Sequence, residues 1–204
     1  MRSGIIAVMA VIRWSTVRYF LKLVMENLTK PTSLNNIFNE LKSAGMKVTK
    51  DYLYDWIDYA CQIFLFHRVP EYTQSVAKEN ATPAKYYVAD MGLSNAVLSV
   101  QSQDEGKSLE NAVFLMLNLT LGEEDRLFFY KGQKECDFVV QRQDAVAELI
   151  QVCWELDSSN EERELGGLLE ASARTGCKNC TVITFDQQET IEYQGVSVTY
   201  STND

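Results

Sequence analysis

Proline is scarce, with three in 204 residues, and histidine occurs once, as His67. Scarce proline and the lack of any low-complexity tract leave a packed core possible throughout. His67 is followed by Arg68 on a predicted strand, and no GxSxG occurs. A hydrolase triad therefore has no support. Long apolar runs are missing too. Residues 4–12 are apolar for nine positions, too few to span a bilayer. They follow Arg2 and precede Arg13, Trp14 and Arg18, with no small-residue cleavage pattern. A secretory signal is not expected. The stretch reads as part of a helix, or as a strand fragment of a larger domain. The five cysteines are odd in number, which fits reduced thiols, a cytoplasmic location and no membrane partner. No GxxxxGK[ST] occurs. Without that phosphate cradle this chain alone is not expected to hydrolyse ATP.

What is present is ordinary for a globular protein: 46% hydrophobic and 23% charged residues. The net charge of −9 is uneven. Residues 1–90 hold 11 Lys/Arg against 8 Asp/Glu, giving +3, and residues 91–204 hold 8 against 20, giving −12. Two modules with different surfaces are expected, over 1–90 and 91–204. The acidic module repels a polyanion unless a metal or basic patch intervenes.

In the first module Val17, Phe20, Leu21, Val24 and Leu28 have the spacing of an amphipathic helix. After KPTS, Ser33 is placed to cap a second helix through Leu34, Ile37, Phe38 and Leu41, ended by Gly45. Thr49 is placed to cap a third, with Leu53, Trp56, Ile57 and Ala60 inward. FLFHRVPEY and PAKYYVAD read as strands joined by a polar loop containing Asn80 and Pro83. Three helices and a two-stranded ribbon give the order of a winged helix-turn-helix.

In the second module residues 94–100 predict a short helix, and QSQDEGK a loop leading to a strongly apolar helix, SLENAVFLMLNLTL. RLFFYK, CDFVVQ and AVAELIQVCW are strand candidates. Residues 160–175 predict a helix with Leu165, Leu168, Leu169 and Ala173 on one side. TVITF and GVSVTY follow as strands, with no internal repeat. The order α-β-β-β-α-β predicts an α/β domain around a mixed sheet.

The stretches SLNNIFNELKSAGMKVTKDYLYDWIDYACQIFLFHRVPEY, AKYYVADMGL, SLENAVFLML, KECDFVV and ELIQVCWELDSSNEERELGGLLEA carry a resemblance. In this order they resemble the C-terminal part of bacterial and archaeal AAA-type ATPases with the domain of unknown function 4143. The likeness covers nearly the whole chain. It implies a winged helix followed by a restriction-endonuclease-like α/β domain of the PD-(D/E)XK kind. It also implies an upstream P-loop ATPase domain, which the missing motif takes away here together with its ATP. A truncated piece, a split gene product and a reduced paralogue all fit that loss, and the first residues could be a remnant of the ATPase domain.

A nuclease of that fold gathers carboxylates around Mg²⁺, which activates water and neutralises phosphate. The resemblance implies Glu110 as the helix acid and Asp137 as the strand acid, the two metal candidates. The next strand should carry Glu-x-Lys, whose alternation puts both on one face. Leu149 and Gln151 stand there instead. Glu148 is three residues from Gln151, so a regular strand sends them to opposite faces, and only a bulge would reunite them. A degenerate site of Glu110, Asp137, Glu148 and Gln151 is the favoured reading. A working Mg²⁺-dependent nuclease is the alternative. Solvated positions, Asp137 at a hairpin and Glu110 on a helix face, explain the two acids without chemistry. Arg163 and Glu164 also match the family, as an ion pair over the sheet edge or a solvated helix start.

A recognition helix needs cations toward phosphate. The third helix instead carries Asp51, Asp55 and Asp58 in a stripe, with Lys42, Lys47 and Lys50 left as candidate backbone contacts for a DNA-binding role. Tyr52, Trp56 and Tyr59 share another face, read as core packing with polar tips. CKNC at Cys177 and Cys180 lacks two further closely spaced zinc ligands among Cys136, Cys153 and His67, and it precedes a strand rather than a helix. Buried thiols are expected. The expected role is association with a protein partner or an upstream ATPase domain, with charge disfavouring nucleic acid.

Overall fold

The structure is a computed structural model that describes residues 2–73, 82–98, 104–188, 190–194 and 196–202. Asn80, the end of the helix expected over 94–100, and residues 101–103 lie outside the described residues. The chain forms two compact units. One is Met1–Arg68 with Pro83–Gln101, and the other is Val69–Thr82 with Ser102–Asp204. The dividing points thus differ from a single cut at residue 90.

In the first unit, α1 runs over Arg2–Glu26, α2 over Leu34–Ser43 and α3 over Lys50–Gln62. Residues 4–12 are therefore helical. Phe20, Leu23, Val24 and Leu28 meet Ile37, Leu41, Leu53 and Ile57 in one core. Ser33 caps α2 as expected, accepting the Asn35 N–H at 3.2 Å. Thr49 stands at the N-cap of α3 in extended backbone, but its side chain makes no capping bond. Asp51 supplies charge to that first turn instead. Strands β1 (His67–Pro70) and β2 (Ala84–Tyr87) form a two-stranded sheet. Helix α4 (Met91–Leu98) packs on α1, its first turn held by Asp90 Oδ1 accepting the Gly92 N–H at 2.7 Å.

The second unit is α/β with a mixed sheet, as the sequence predicts. Helix α5 spans Glu105–Thr120. It starts earlier than expected because Asp104 accepts the Lys107 N–H at 3.1 Å and caps it. Strands β3 (Arg126–Lys131), β4 (Glu135–Arg142) and β5 (Ala145–Val152) lie antiparallel. Helix α6 (Glu161–Thr175) then crosses to β6 (Cys180–Thr184), parallel to β5. β8 (Val196–Thr202) runs parallel to β6, and β7 (Thr190–Tyr193) lies antiparallel on its edge. The sheet order is β3-β4-β5-β6-β8-β7. β7 was not expected, because its four residues TIEY are half exposed and carry a weak alternation.

Helix α6 covers one sheet face. Leu165 and Leu168 point inward as expected, but Ala171 and Ser172 complete the buried side and Ala173 faces out. The close approach depends on Gly167, where a Cβ would lie 1.8 Å from the Glu135 carbonyl oxygen. Among the described residues no helix is long and apolar enough to cross a membrane.

Candidate functional site

The geometry of β5 decides which predicted residues meet. Across β4 and β5, Phe138 faces Ile150, Val139 faces Leu149 and Val140 faces Glu148. The alternation is regular from 148 to 151, so Gln151 shares a face with Leu149, and Glu148 takes the other. A bulge does occur, since Gln141 next faces Val146 and Ala147 is the extra residue. It precedes Glu148 rather than falling between Glu148 and Gln151. Glu148 therefore stays away from Gln151, and its Oε1 accepts the Thr181 hydroxyl at 2.8 Å. This corrects its place among the predicted site residues.

On the helix-covered face, Asp137, Gln151 and Glu164 are each only 6% exposed. The Asp137 N–H donates to Gln151 Oε1 at 3.2 Å. Gln151 Nε2 donates to Glu164 Oε2 at 2.7 Å. The Val152 N–H donates to Asp137 Oδ2 at 2.9 Å. Arg163 Nε donates to Glu164 Oε1 at 3.0 Å, so the predicted Arg163–Glu164 ion pair forms. Glu164 raises the Arg163 guanidinium further above its usual range, by hydrogen bonding and by charge. Beside them, burial, then Glu164 and Asp137, push the Cys153 thiol up to about 12, against a smaller pull from Arg163. A thiol so placed is protonated at neutral pH and is no nucleophile.

The chemistry of this cluster is limited by its amide. Gln151 accepts from one neighbour and donates to another, which a lysine ammonium could not do. It carries no charge with which to acidify a water. Asp137 Oδ2 and both Glu164 oxygens already accept hydrogen bonds from Val152, Arg163 and Gln151. These bonds hold the two carboxylates in fixed orientations. Among the described residues no group of three or more His, Cys, Asp or Glu is placed to hold a metal ion. Glu110 is half-buried on α5 between buried Leu109 and Asn111. Sequence reasoning named Glu164 only as Arg163's partner and missed its bond to Gln151. The signal was available, since Glu164, Leu168 and Ala171 are spaced to share one helix face.

In the first unit, Lys42, Lys47 and Lys50 are all exposed. The Lys42 and Lys50 ammonium groups converge on the Phe38 ring, at 5.4 and 5.6 Å from its centroid. Trp56 is half-buried against Phe20, with Tyr52 stacked on it at 6.0 Å. Tyr59 is exposed, contrary to the expectation of core packing. Cys177 and Cys180 are buried free thiols, and burial followed by Cys177 raises Cys180 to about 11. His67 lies 6.2 Å from the Phe64 ring, and burial lowers its pKa.

A further acid emerged only with the fold. Glu170 on α6 clamps the β3–β4 turn, accepting the Tyr130 hydroxyl at 3.2 Å and the N–H groups of Gln133 and Lys134 at 3.0 and 2.9 Å. Those two backbone bonds hold its carboxyl below the usual glutamate range. A groove of about 420 Å³ beside it is lined by Gln133, Lys134, Glu162, Gly166 and Tyr193.

Residues 5–104 match the family model of a domain of unknown function, DUF8612. An uncharacterized protein of Methanocaldococcus jannaschii is 32% identical over 163 residues, 76% of this chain and 35% of the relative. An uncharacterized protein of Haemophilus influenzae is 24% identical over 144 residues, 68% of this chain and 34% of the relative. The chain thus spans about a third of the length of these curated relatives. No solved structure matches.

Proposed function

We propose that this chain is the C-terminal module of an AAA-type ATPase-family protein, a winged helix followed by a nuclease-like domain that has lost its chemistry and serves association. The observation that carries the reading is Gln151. It occupies the position where a PD-(D/E)XK nuclease needs lysine, and its amide is tied between Asp137 and Glu164. Leu149 fills the preceding acid position, fully buried in the core. The helix-helix-helix-ribbon order supports the winged helix. The relatives' greater length leaves room for a separate ATPase domain.

Plasmid DNA incubated with the purified chain and Mg²⁺ or Mn²⁺ tests the loss of chemistry. Intact supercoiled plasmid is the expected result. Nicking or linearisation that disappears with Asp137→Ala would replace this reading with a Mg²⁺-dependent nuclease. Fluorescence anisotropy with duplex DNA across a salt series tests the winged helix as a DNA reader. No salt-dependent binding is expected. Binding weakened by Lys42→Ala and Lys50→Ala would place the module on nucleic acid.

A further inference from the structure

Helices α2 and α3 end in the same hydrogen-bonded closure with different residues at its tightest point. After α2, Met46 N–H donates to the Leu41 carbonyl at 3.0 Å and Gly45 N–H to that of Lys42 at 2.9 Å. After α3, Leu65 N–H donates to the Ala60 carbonyl at 2.9 Å and Phe64 N–H to that of Cys61 at 3.0 Å. Such a Schellman closure forces one residue into the left-handed region, where glycine is the usual choice. Gly45 sits there at φ +78, whereas Phe64 does so at φ +58. A side chain in that conformation is strained. Packing of the ring does not offset it, because Phe64 is 70% exposed.

Phe64 is not alone. Ile63 beside it is 72% exposed and Tyr59, one turn back, is 63% exposed. Tyr52 extends the same helical stripe, stacked on Trp56. Immediately alongside run Asp51, Asp55 and Asp58, all exposed. A contiguous exposed apolar stripe marks an interaction surface. The acidic row sets its partner's charge: it repels nucleic acid and anionic membranes and attracts cations. The Asp51, Asp55 and Asp58 row would face its own image in a two-fold pairing of this face, and like charges oppose that docking of a second copy.

We propose that this face of α3 docks an amphipathic protein helix carrying Lys or Arg along one edge of an apolar stripe. Its aliphatic side would cover Tyr59, Ile63 and Phe64, and its cations would line the Asp51, Asp55 and Asp58 row. The proposal deepens the association role proposed above and rests on it. The plasmid assay reads the second unit, so that reading and this one fail separately.

The probe is a synthetic helical peptide with a leucine stripe flanked by lysines, titrated by anisotropy against the full chain. Salt-dependent binding is expected, weaker by about tenfold or more in Asp51→Asn/Asp55→Asn/Asp58→Asn. Removing equal charge from the second unit, by Glu123→Gln/Glu124→Gln/Asp144→Asn, should leave affinity unchanged. Phe64→Gly is the discriminating variant: it should raise the unfolding midpoint while weakening the peptide complex. A lysine peptide without the leucine stripe binding as tightly as the probe would overturn the proposal. So would equal affinity for wild type and the α3 triple variant, or unchanged binding by Phe64→Gly. Self-association of the chain that Lys42→Glu/Lys50→Glu abolishes would also overturn it, assigning the face to a second copy.

Discussion

The two faces of β5 carry polar groups under different constraints. On the face covered by α6, Gln151 belongs to a closed set with Asp137, Glu164 and the Val152 N–H, each acid 6% exposed. On the other face, Glu148 is half-buried and accepts from Thr181. Glu148 and Gln151 are three positions apart, yet they belong to different structures. Proximity in sequence misleads on a strand because successive side chains alternate. The buried face tolerates polar groups only because each has a partner. That same requirement fixes the orientation of each carboxylate in the cluster.

The comparison is most strongly broken by lifting α6 off the sheet. Gly167→Ala would drive a methyl group into the Glu135 carbonyl. Because backbone cannot yield as a flexible side chain does, a loss of about 3 kcal/mol is expected. Urea unfolding measures it, and a midpoint matching wild type would mean that α6 does not sit this tightly. Next comes Gln151→Leu, which strips partners from the Asp137 N–H and from Glu164 inside the core. A loss of about 2 kcal/mol is expected. Glu148→Leu removes one hydrogen bond at a half-buried site and should cost about 1 kcal/mol or less. Equal losses for these two variants would erase the distinction between the faces.

Much of this was legible beforehand. RLFFYK was predicted to the residue as β3, because a short aromatic run stood between polar turn segments. The mixed sheet and the crossover helix followed from element order. Opposite faces for Glu148 and Gln151 followed from period two alone. What the sequence hid was tertiary. The bulge at Ala147 has no local marker, and only strand pairing shows that it falls on the wrong side of Glu148. The close approach of Glu135 to Gly167 joins two elements that no local pattern relates. The Glu170 clamp joins positions 37 and 36 residues apart at Gln133 and Lys134, beyond any periodic pattern. Phe64 was expected to open the strand FLFHRVPEY, but the strand begins at His67, and the exposed left-handed position of Phe64 emerges only from the closure of α3.

The smallest expected effect concerns the other end of α6, where a carboxylate does near solvent what Glu164 does in the core. Backbone bonds from Lys134 and Gln133 hold the folded-state pKa of Glu170 below its usual 4.5. A depressed carboxyl stabilises the fold fully above the unfolded-state value and loses that contribution as pH falls through the folded-state value. Wild type should therefore lose stability in part through this residue as pH falls below the usual glutamate value of 4.5. Glu170→Gln keeps the shape, weakens the clamp at pH 7, and should flatten that acid limb. The urea midpoint of both proteins across that range is the measurement. Identical acid limbs would mean that the hairpin turn holds itself, leaving α6 anchored to the sheet by Gly167 and the buried cluster.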